Sequence, residues 1–280
     1  MTDATISRLA NDASEQAALA RFAADYSKHR AAEGRGHDGD ELLALPFLER
    51  GPLARQWAVR ARSFEVFREH VMRVEARRLG RQLRVLDLGA GNGWLCYRAA
   101  LEGHSAVALD IRDDAIDGLG AAQPFLDRAP GRIECVVAGF DAIPLDPASV
   151  DIAIFNASLH YSTDLARSLT EAGRVVRPGG RIVILDSPFY ARARDGEAMV
   201  AEKRKGASAR FGERAECLLA LPFIEFLTRD RLRDASVALD LDWKRRRVRY
   251  PLWYELRPLQ AALRRQRTPS RFDLWVSVKP

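Results

Sequence analysis

Apolar positions recur along the 280-residue chain in two rhythms. Leu53, Trp57, Phe64, Phe67, Val71 and Val74 fall on one helical stripe with arginines between them, which predicts a long amphipathic helix. Gly51-Pro52 precedes it, and proline suits a first helical position; Gly80 is its expected stop. Residues 12–33 are alanine-rich and helical in propensity, behind a frayed start over residues 1–10. Glu33–Asp40 is a glycine-rich hinge loop, and Glu41–Leu48 a short apolar element. Beyond residue 81 the rhythm changes. Short apolar runs near 83–88, 105–110, 132–137, 151–156 and 181–186 alternate with helical stretches, the pattern of an α/β protein with a parallel sheet. Residues 187–230 interrupt it, charge-rich over Tyr190–Gly212 and apolar over Leu218–Leu227 around Pro222. Leu239–Tyr250 and Arg271–Lys279 read as closing strands, the second alternating Phe272, Leu274, Val276 and Val278.

The most specific chemistry lies at the first of these strands. In Leu83-Arg-Val-Leu-Asp-Leu-Gly-Ala-Gly-Asn-Gly-Trp-Leu95, an apolar run carries Asp87 and breaks into the turn Gly89-Ala90-Gly91-Asn92-Gly93. Glycines let the backbone approach a ligand, and the helix behind them offers unpaired N–H groups. Dinucleotide enzymes use a G-x-G-x-x-G turn whose last glycine allows close packing, but Trp94 holds that place here. Asp87 would repel a pyrophosphate and attract an ammonium group. The second strand ends in Asp110-Ile111, and a carboxylate there can accept two hydrogen bonds from ribose hydroxyls.

Two further segments extend the pattern. Gly139-Phe140-Asp141 makes a short acid-bearing turn before a strand that ends in Asn156-Ala-Ser-Leu-His160-Tyr161. Leu169–Asp186 reads as a helix, a Pro178-Gly-Gly break and a fifth strand. Residues 83–188 thus resemble class I S-adenosylmethionine-dependent methyltransferases, and the Arg174–Ile184 segment resembles the ubiquinone/menaquinone-biosynthesis type. The resemblance implies a Rossmann-like, seven-stranded, mostly parallel sheet flanked by helices, with a helical N-terminal cap over 1–80. Residues 81–280 would form the methyltransferase domain, with a substrate-covering insertion at about 187–230. It implies S-adenosylmethionine as cofactor, Asp141 on the adenine amino group and Phe140 on the adenine face. Trp57 and Arg60 would lie on a helix that closes over the cofactor, Arg60 meeting its carboxylate or lying at the surface. Asn156 either caps the next helix or touches the cofactor.

For the acceptor, His160 is the candidate base, since an ordinary histidine titrates near neutrality; an orienting or structural role is its alternative. Tyr161 either hydrogen-bonds the acceptor or packs. The insertion brings Phe189, Tyr190, Phe211, Phe223 and Phe226 as walls of an apolar pocket. The expected reaction is methyl transfer to an oxygen, carbon or nitrogen of a small molecule.

Composition adjusts this reading little. Only five of 44 basic residues are lysine and the net charge is +6, which fits genome base composition or an RNA partner. An RNA or tRNA methyltransferase is therefore one rival, a non-catalytic nucleotide-binding interaction protein another. Against the first, Asn156-Ala-Ser-Leu stands where base-amino enzymes often carry an Asn/Asp-Pro-Pro-aromatic motif. Cys96, Cys135 and Cys217 share no metal spacing and read as buried cytoplasmic thiols. No metal site, membrane span or secretory signal is expected, and the reading leaves the oligomeric state open.

Overall fold

The computed structural model describes the backbone of residues 3–32, 34–37, 39–212, 219 and 221–280, with the side chains of these apart from 3–16, 19 and 207–211. The strands are β1 (Arg84–Leu88), β2 (Ser105–Asp110), β3 (Ile133–Val137), β4 (Val150–Asn156), β5 (Val176–Leu185), β6 (Lys244–Arg246) and β7 (Leu274–Val278). They form one sheet in the order β3-β2-β1-β4-β5-β7-β6. The first five are parallel, and β7 runs antiparallel to both β5 and β6. The expected fold class is therefore the observed one.

Alternation along the strands sorts side chains onto two faces. Val85, Ala106, Ile152, Ile154 and Val183 enter one core with Trp57, Phe64, Phe67 and Leu95. Leu86, Val107, Ala153, Phe155 and Ile182 enter the other with Leu169, Ala172 and Trp275. A parallel sheet covered on both faces needs such continuous apolar strands. The Pro178-Gly-Gly break lies inside β5. Pairing jumps from Val150↔Val176 to Ile152↔Arg181 across it.

The helices are α1 (Asp3–Ala32), α2 (Gly39–Ala44), α3 (Ala54–Phe67), α4 (Arg73–Leu79), α5 (Trp94–Leu101), α6 (Gln123–Arg128), α7 (Leu165–Val175), α8 (Ala193–Phe211), α9 (Arg229–Ser236), α10 (Leu252–Glu255) and α11 (Arg257–Leu263). Five expectations change, the last at Cys135. Helix α1 begins at Asp3, so residues 3–10 are helical rather than frayed. Helix α3 begins at Ala54, because Leu53 is its N-cap and Pro52 lies one residue outside. One turn of π-helix, Arg68–Met72, joins α3 to α4. Its extra residue rotates the stripe, so Val74 is exposed while Met72 and Glu75 are buried. The sixth strand covers only Lys244–Arg246, all exposed. Gly80 does stop α4, in the left-handed conformation (φ 63°) with its N–H on Ala76 O. Cys96 is buried but Cys135, on edge strand β3, is exposed; Cys217 lies outside the described residues.

Candidate active site

Strand ends β1, β2, β4 and β5 open onto a cavity of about 350 Å³, within the range of small-molecule sites. Its position outside the carboxyl ends of the parallel strands is where ligands of open α/β sheets bind. Trp57, Arg60, Gly89, Ala90, Gly91, Asn92, Asp110, Ile111, Phe140, Asp141, Asn156, His160 and Tyr161 all line it. Asp87 and Gly93 are absent from the wall.

The glycine turn is shaped by contact. Gly89 has φ 78°, and a Cβ there would lie 2.4 Å from Ser158 Cβ; only glycine fits. The next turn residues are held from below. Asp110 Oδ2 accepts from Gly91 N at 2.7 Å, and Oδ1 from Arg112 N at 2.9 Å. Each carboxylate oxygen keeps a second lone pair for a ligand. Asn92 Oδ1 accepts from Trp94 N at 3.2 Å, so this side chain caps the start of α5. Trp94 is buried against Trp57 and Phe64, with ring centroids 5.9 and 5.6 Å away. A third glycine there would leave this packing empty.

Burial sets the electrostatics. Asp87 is sealed under the turn, and neither carboxylate oxygen has a partner. Its pKa is raised well above the ordinary range, by burial first and Asp110 second, with Arg60 opposing. Burial also raises Asp110, against the pull of Arg112. Arg60 stands over the Trp57 ring at 5.2 Å, and no ion pair engages it among the described residues. Asn156 Oδ1 is buried without a partner, and α7 is capped by Asp164 instead. The capping alternative for Asn156 is thereby removed. Phe140 stands edge-on to Phe155 at 5.6 Å.

On the acceptor side the structure departs from expectation. His160 is half-buried, its Nδ1 has no partner, and its pKa falls to about 3 through burial, then Lys203 and Arg60. The imidazole is therefore neutral at pH 7 and a weak base. Tyr161 Oη meets Tyr26 Oη at 2.8 Å. Of the five aromatics expected from the insertion, Phe223 alone reaches the wall among those described. Phe189 bridges Leu227 and Arg271 and stacks on Trp275 at 4.7 Å. Tyr190 meets Phe226 edge-on at 5.7 Å. The Phe211 side chain lies outside the described residues.

Helix α1 supplies much of what those aromatics do not. Phe22, Tyr26 and Arg30 line the cavity. Arg30 pairs with Asp117 at 2.7 Å, and Ser27 Oγ donates to Asp114 Oδ2 at 2.6 Å. Helix α3, by contrast, sits in the main core, with Trp57 fully buried. Among the other unanticipated wall residues are Phe272 and an acid, Asp186, at the end of β5. The sequence signal for it was present: an acid closing an apolar run, as at Asp110.

Residues 86–184 match the family model described as a methyltransferase domain. An uncharacterized methyltransferase of Mycobacterium tuberculosis is 39% identical over 99 residues, 35% of this chain and 37% of that one. A ubiquinone/menaquinone biosynthesis C-methyltransferase of a Geobacter species is 35% identical over 106 residues, 37% of this chain and 45% of that one. The crystal structure of the MccD protein superposes with TM-score 0.52 at 14% identity, over 76% of this chain and 97% of that one. The chain carries a class I methyltransferase domain. The matched sequence spans less than half the length of the Mycobacterium and Geobacter proteins, and the domain match ends at Ile184, short of Asp186. No helix among the described residues is long and apolar enough to cross a membrane.

Proposed function

We propose that the protein transfers a methyl group from S-adenosylmethionine to a small-molecule acceptor. The observation that carries this reading is the order of groups along the cavity. Carboxylates Asp110 and Asp141 with Phe140 stand over β2 and β3. The glycine turn and Asn156 stand at the ends of β1 and β4, and Arg60 reaches the cavity from α3. Asp186 stands at the end of β5, and His160 on the loop after β4. That order matches a ligand with an adenosine at one end and an amino-acid zwitterion in the middle.

Asp110 would hold the ribose diol with its free lone pairs, and Asp141 the adenine amino group. Arg60 would take the carboxylate as a charge-assisted pair. Asn156 Oδ1 would accept from the ammonium group, and that cation would draw the buried Asp87 beneath the turn toward its ionised form. Asn156 Oδ1, a buried wall oxygen without a partner, is costly unless a donor arrives, which supports the fit. When bound, the cofactor supplies an electrophilic methyl carbon on a sulfonium. The chain supplies orientation and a dry enclosure, a contribution of roughly 7–11 kcal/mol in favourable cases. His160, neutral, would orient the acceptor by a hydrogen bond. Tyr161 would position it and anchor α1.

The similarity to ubiquinone/menaquinone-type enzymes covers 37% of this chain, and it supports the donor rather than any one acceptor. Calorimetry with S-adenosylhomocysteine tests the donor. Binding of a nicotinamide dinucleotide in its place would sink the reading. Methyl-labelled cofactor with fractionated metabolites identifies the acceptor. A salt-dependent shift of RNA would favour the nucleic-acid rival instead.

A further inference from the structure

Asp186 is an acid the methyltransferase motifs do not use. It follows Leu185 at the end of β5, with a left-handed backbone (φ 53°) that turns it off the strand line. It is 6% exposed, and what it exposes is cavity wall. Ser63 Oγ donates to Oδ1 at 2.5 Å. Ser63 is itself fixed, 2.8 Å from Tyr250 Oη, and Tyr250 donates to Phe272 O at 2.6 Å. Oδ2 is buried and has no partner. One oxygen is thus clamped by a wired hydroxyl and the other left for a ligand. Because β5 lies beyond β4 from β1 and β2, this oxygen is on the far side from the adenosine end.

We infer that Asp186 is the catalytic base, taking the proton of a protic acceptor at Oδ2 as the methyl group arrives. The inference rests on the methyltransferase reading. The acceptor's heteroatom–hydrogen bond gives its proton to Oδ2 and its electron pair to the new bond with carbon. The sulfonium keeps the pair of the bond that breaks and leaves as a neutral thioether. The acceptor class is a weakly acidic O–H or N–H compound small enough for the cavity that Phe223, Phe272 and His160 help to line. Its size is set by the aromatic wall, and its need for a base by its proton.

The surroundings suit proton exchange near neutrality. Burial pushes the Asp186 carboxyl up to about 7, against the opposing pull of Arg60 and of the Ser63 hydrogen bond. The charged and titratable groups facing it are Arg60 from α3 and Tyr250 and Tyr254 from the segment before β7. His160, across the same cavity, is neutral there. A base is most effective when its pKa lies near the working pH, which Asp186 satisfies and His160 does not.

The test reads ionisation and binding as well as turnover. Carbon-13 carboxyl resonances of the full-length protein are followed against pH, with Asp186→Asn as the assignment control. One carboxyl titrating near pH 7, lost in Asp186→Asn and moved upward in Ser63→Ala, is expected. Asp186→Asn binds S-adenosylhomocysteine within threefold of wild type at pH 8. With the acceptor found by profiling, its kcat falls about 10²–10⁴-fold at an unchanged KM for S-adenosylmethionine. A carboxyl midpoint below pH 5, or kcat above a third of wild type, overturns the base. A tenfold loss of S-adenosylhomocysteine affinity moves Asp186 to the cofactor and overturns it too. If Asp186→Asn does not fold, the wild-type and Ser63→Ala titrations still decide. Wild-type protein that ignores S-adenosylhomocysteine refutes the methyltransferase reading while leaving the titration standing.

Discussion

Tyr26 on α1 and Tyr161 after β4 join hydroxyl to hydroxyl at 2.8 Å across the cavity mouth. Around them Phe22 packs edge-on to Phe223 at 4.8 Å. Both tyrosines line the cavity, so α1 is the expected lid. Tyr26→Phe removes one hydrogen bond, worth about 1 kcal/mol. Faster backbone hydrogen exchange over residues 20–32 follows in ligand-free protein, with protection regained on adding S-adenosylhomocysteine. Equal protection with and without ligand counts against a lid.

Asp110 does two jobs, which separates its variants. Its oxygens hold Gly91 N and Arg112 N, so Asp110→Ala costs the turn its support as well as the ribose its acceptor. Cofactor binding should weaken by about 3–6 kcal/mol, two charge-assisted bonds at roughly 1.5–3 each, and the melting temperature should fall with it. Asp110→Asn keeps one acceptor oxygen, and loses less of both. Unchanged calorimetric affinity in the alanine variant would refute the ribose role.

Legibility along the chain followed the range of the physics. Strand ends such as Asp110 and Asn156 were readable because alternation and a closing polar residue are local signals. The rotation of the Val74 stripe was not, since nothing in Arg68–Met72 marks a π turn. The pocket wall was misread for a similar reason. Phe189 is drawn to Trp275 by sheet pairing with Arg271, 82 positions on, and a contact so distant leaves no trace in either segment. Tyr26 was hidden in an alanine-rich helix whose partner lies 135 residues away.

At the opposite end of the sheet, Asp151 is a buried hub. Arg81 donates to it at 2.7 and 2.9 Å and Arg84 N at 2.8 Å, while Arg177 Nε makes a further contact. Asp151→Ala removes the acceptor of these hydrogen bonds while the half-exposed Arg81 can turn to water, at a cost of about 1–3 kcal/mol. Denaturant melts should show that loss. Affinity for S-adenosylhomocysteine in the folded variant should be intact, because the hub does not touch the cavity.

Stability against pH carries the signature of Asp186. Its folded pKa, about 7, lies above the unfolded value of 3.8. The native state therefore binds this proton more tightly, and the group's contribution is complete below about pH 4 and lost as pH rises through 7. The loss is on the order of 4 kcal/mol for three units at 1.36 each. Asp186→Asn removes it. Relative to wild type, the variant should gain stability at pH 8 and gain none at pH 4. Glu255, held down at about 2 chiefly by its hydrogen bond with Arg271, acts oppositely. Its contribution is present above pH 4.5 and lost as pH falls through 2, equally in both proteins. A variant-to-wild-type difference that does not change between pH 4 and 8 would contradict the raised Asp186 carboxyl.

His160 and Asp186 divide the acceptor side between orientation and proton removal, and pH profiles separate them. With its pKa lowered to about 3, His160 stays neutral across the working range, so its loss should not erase a titration near neutrality. His160→Gln keeps a hydrogen-bonding group on the loop that follows β4, and His160→Ala removes it. Turnover should fall in the alanine variant and recover in part in the glutamine variant, with cofactor affinity near wild type in both. The acidic limb of kcat, near pH 7, should survive in each, because it belongs to Asp186. An acidic limb lost in His160→Ala would return the base to the histidine. Loss of cofactor affinity would move the loop from the acceptor to the donor.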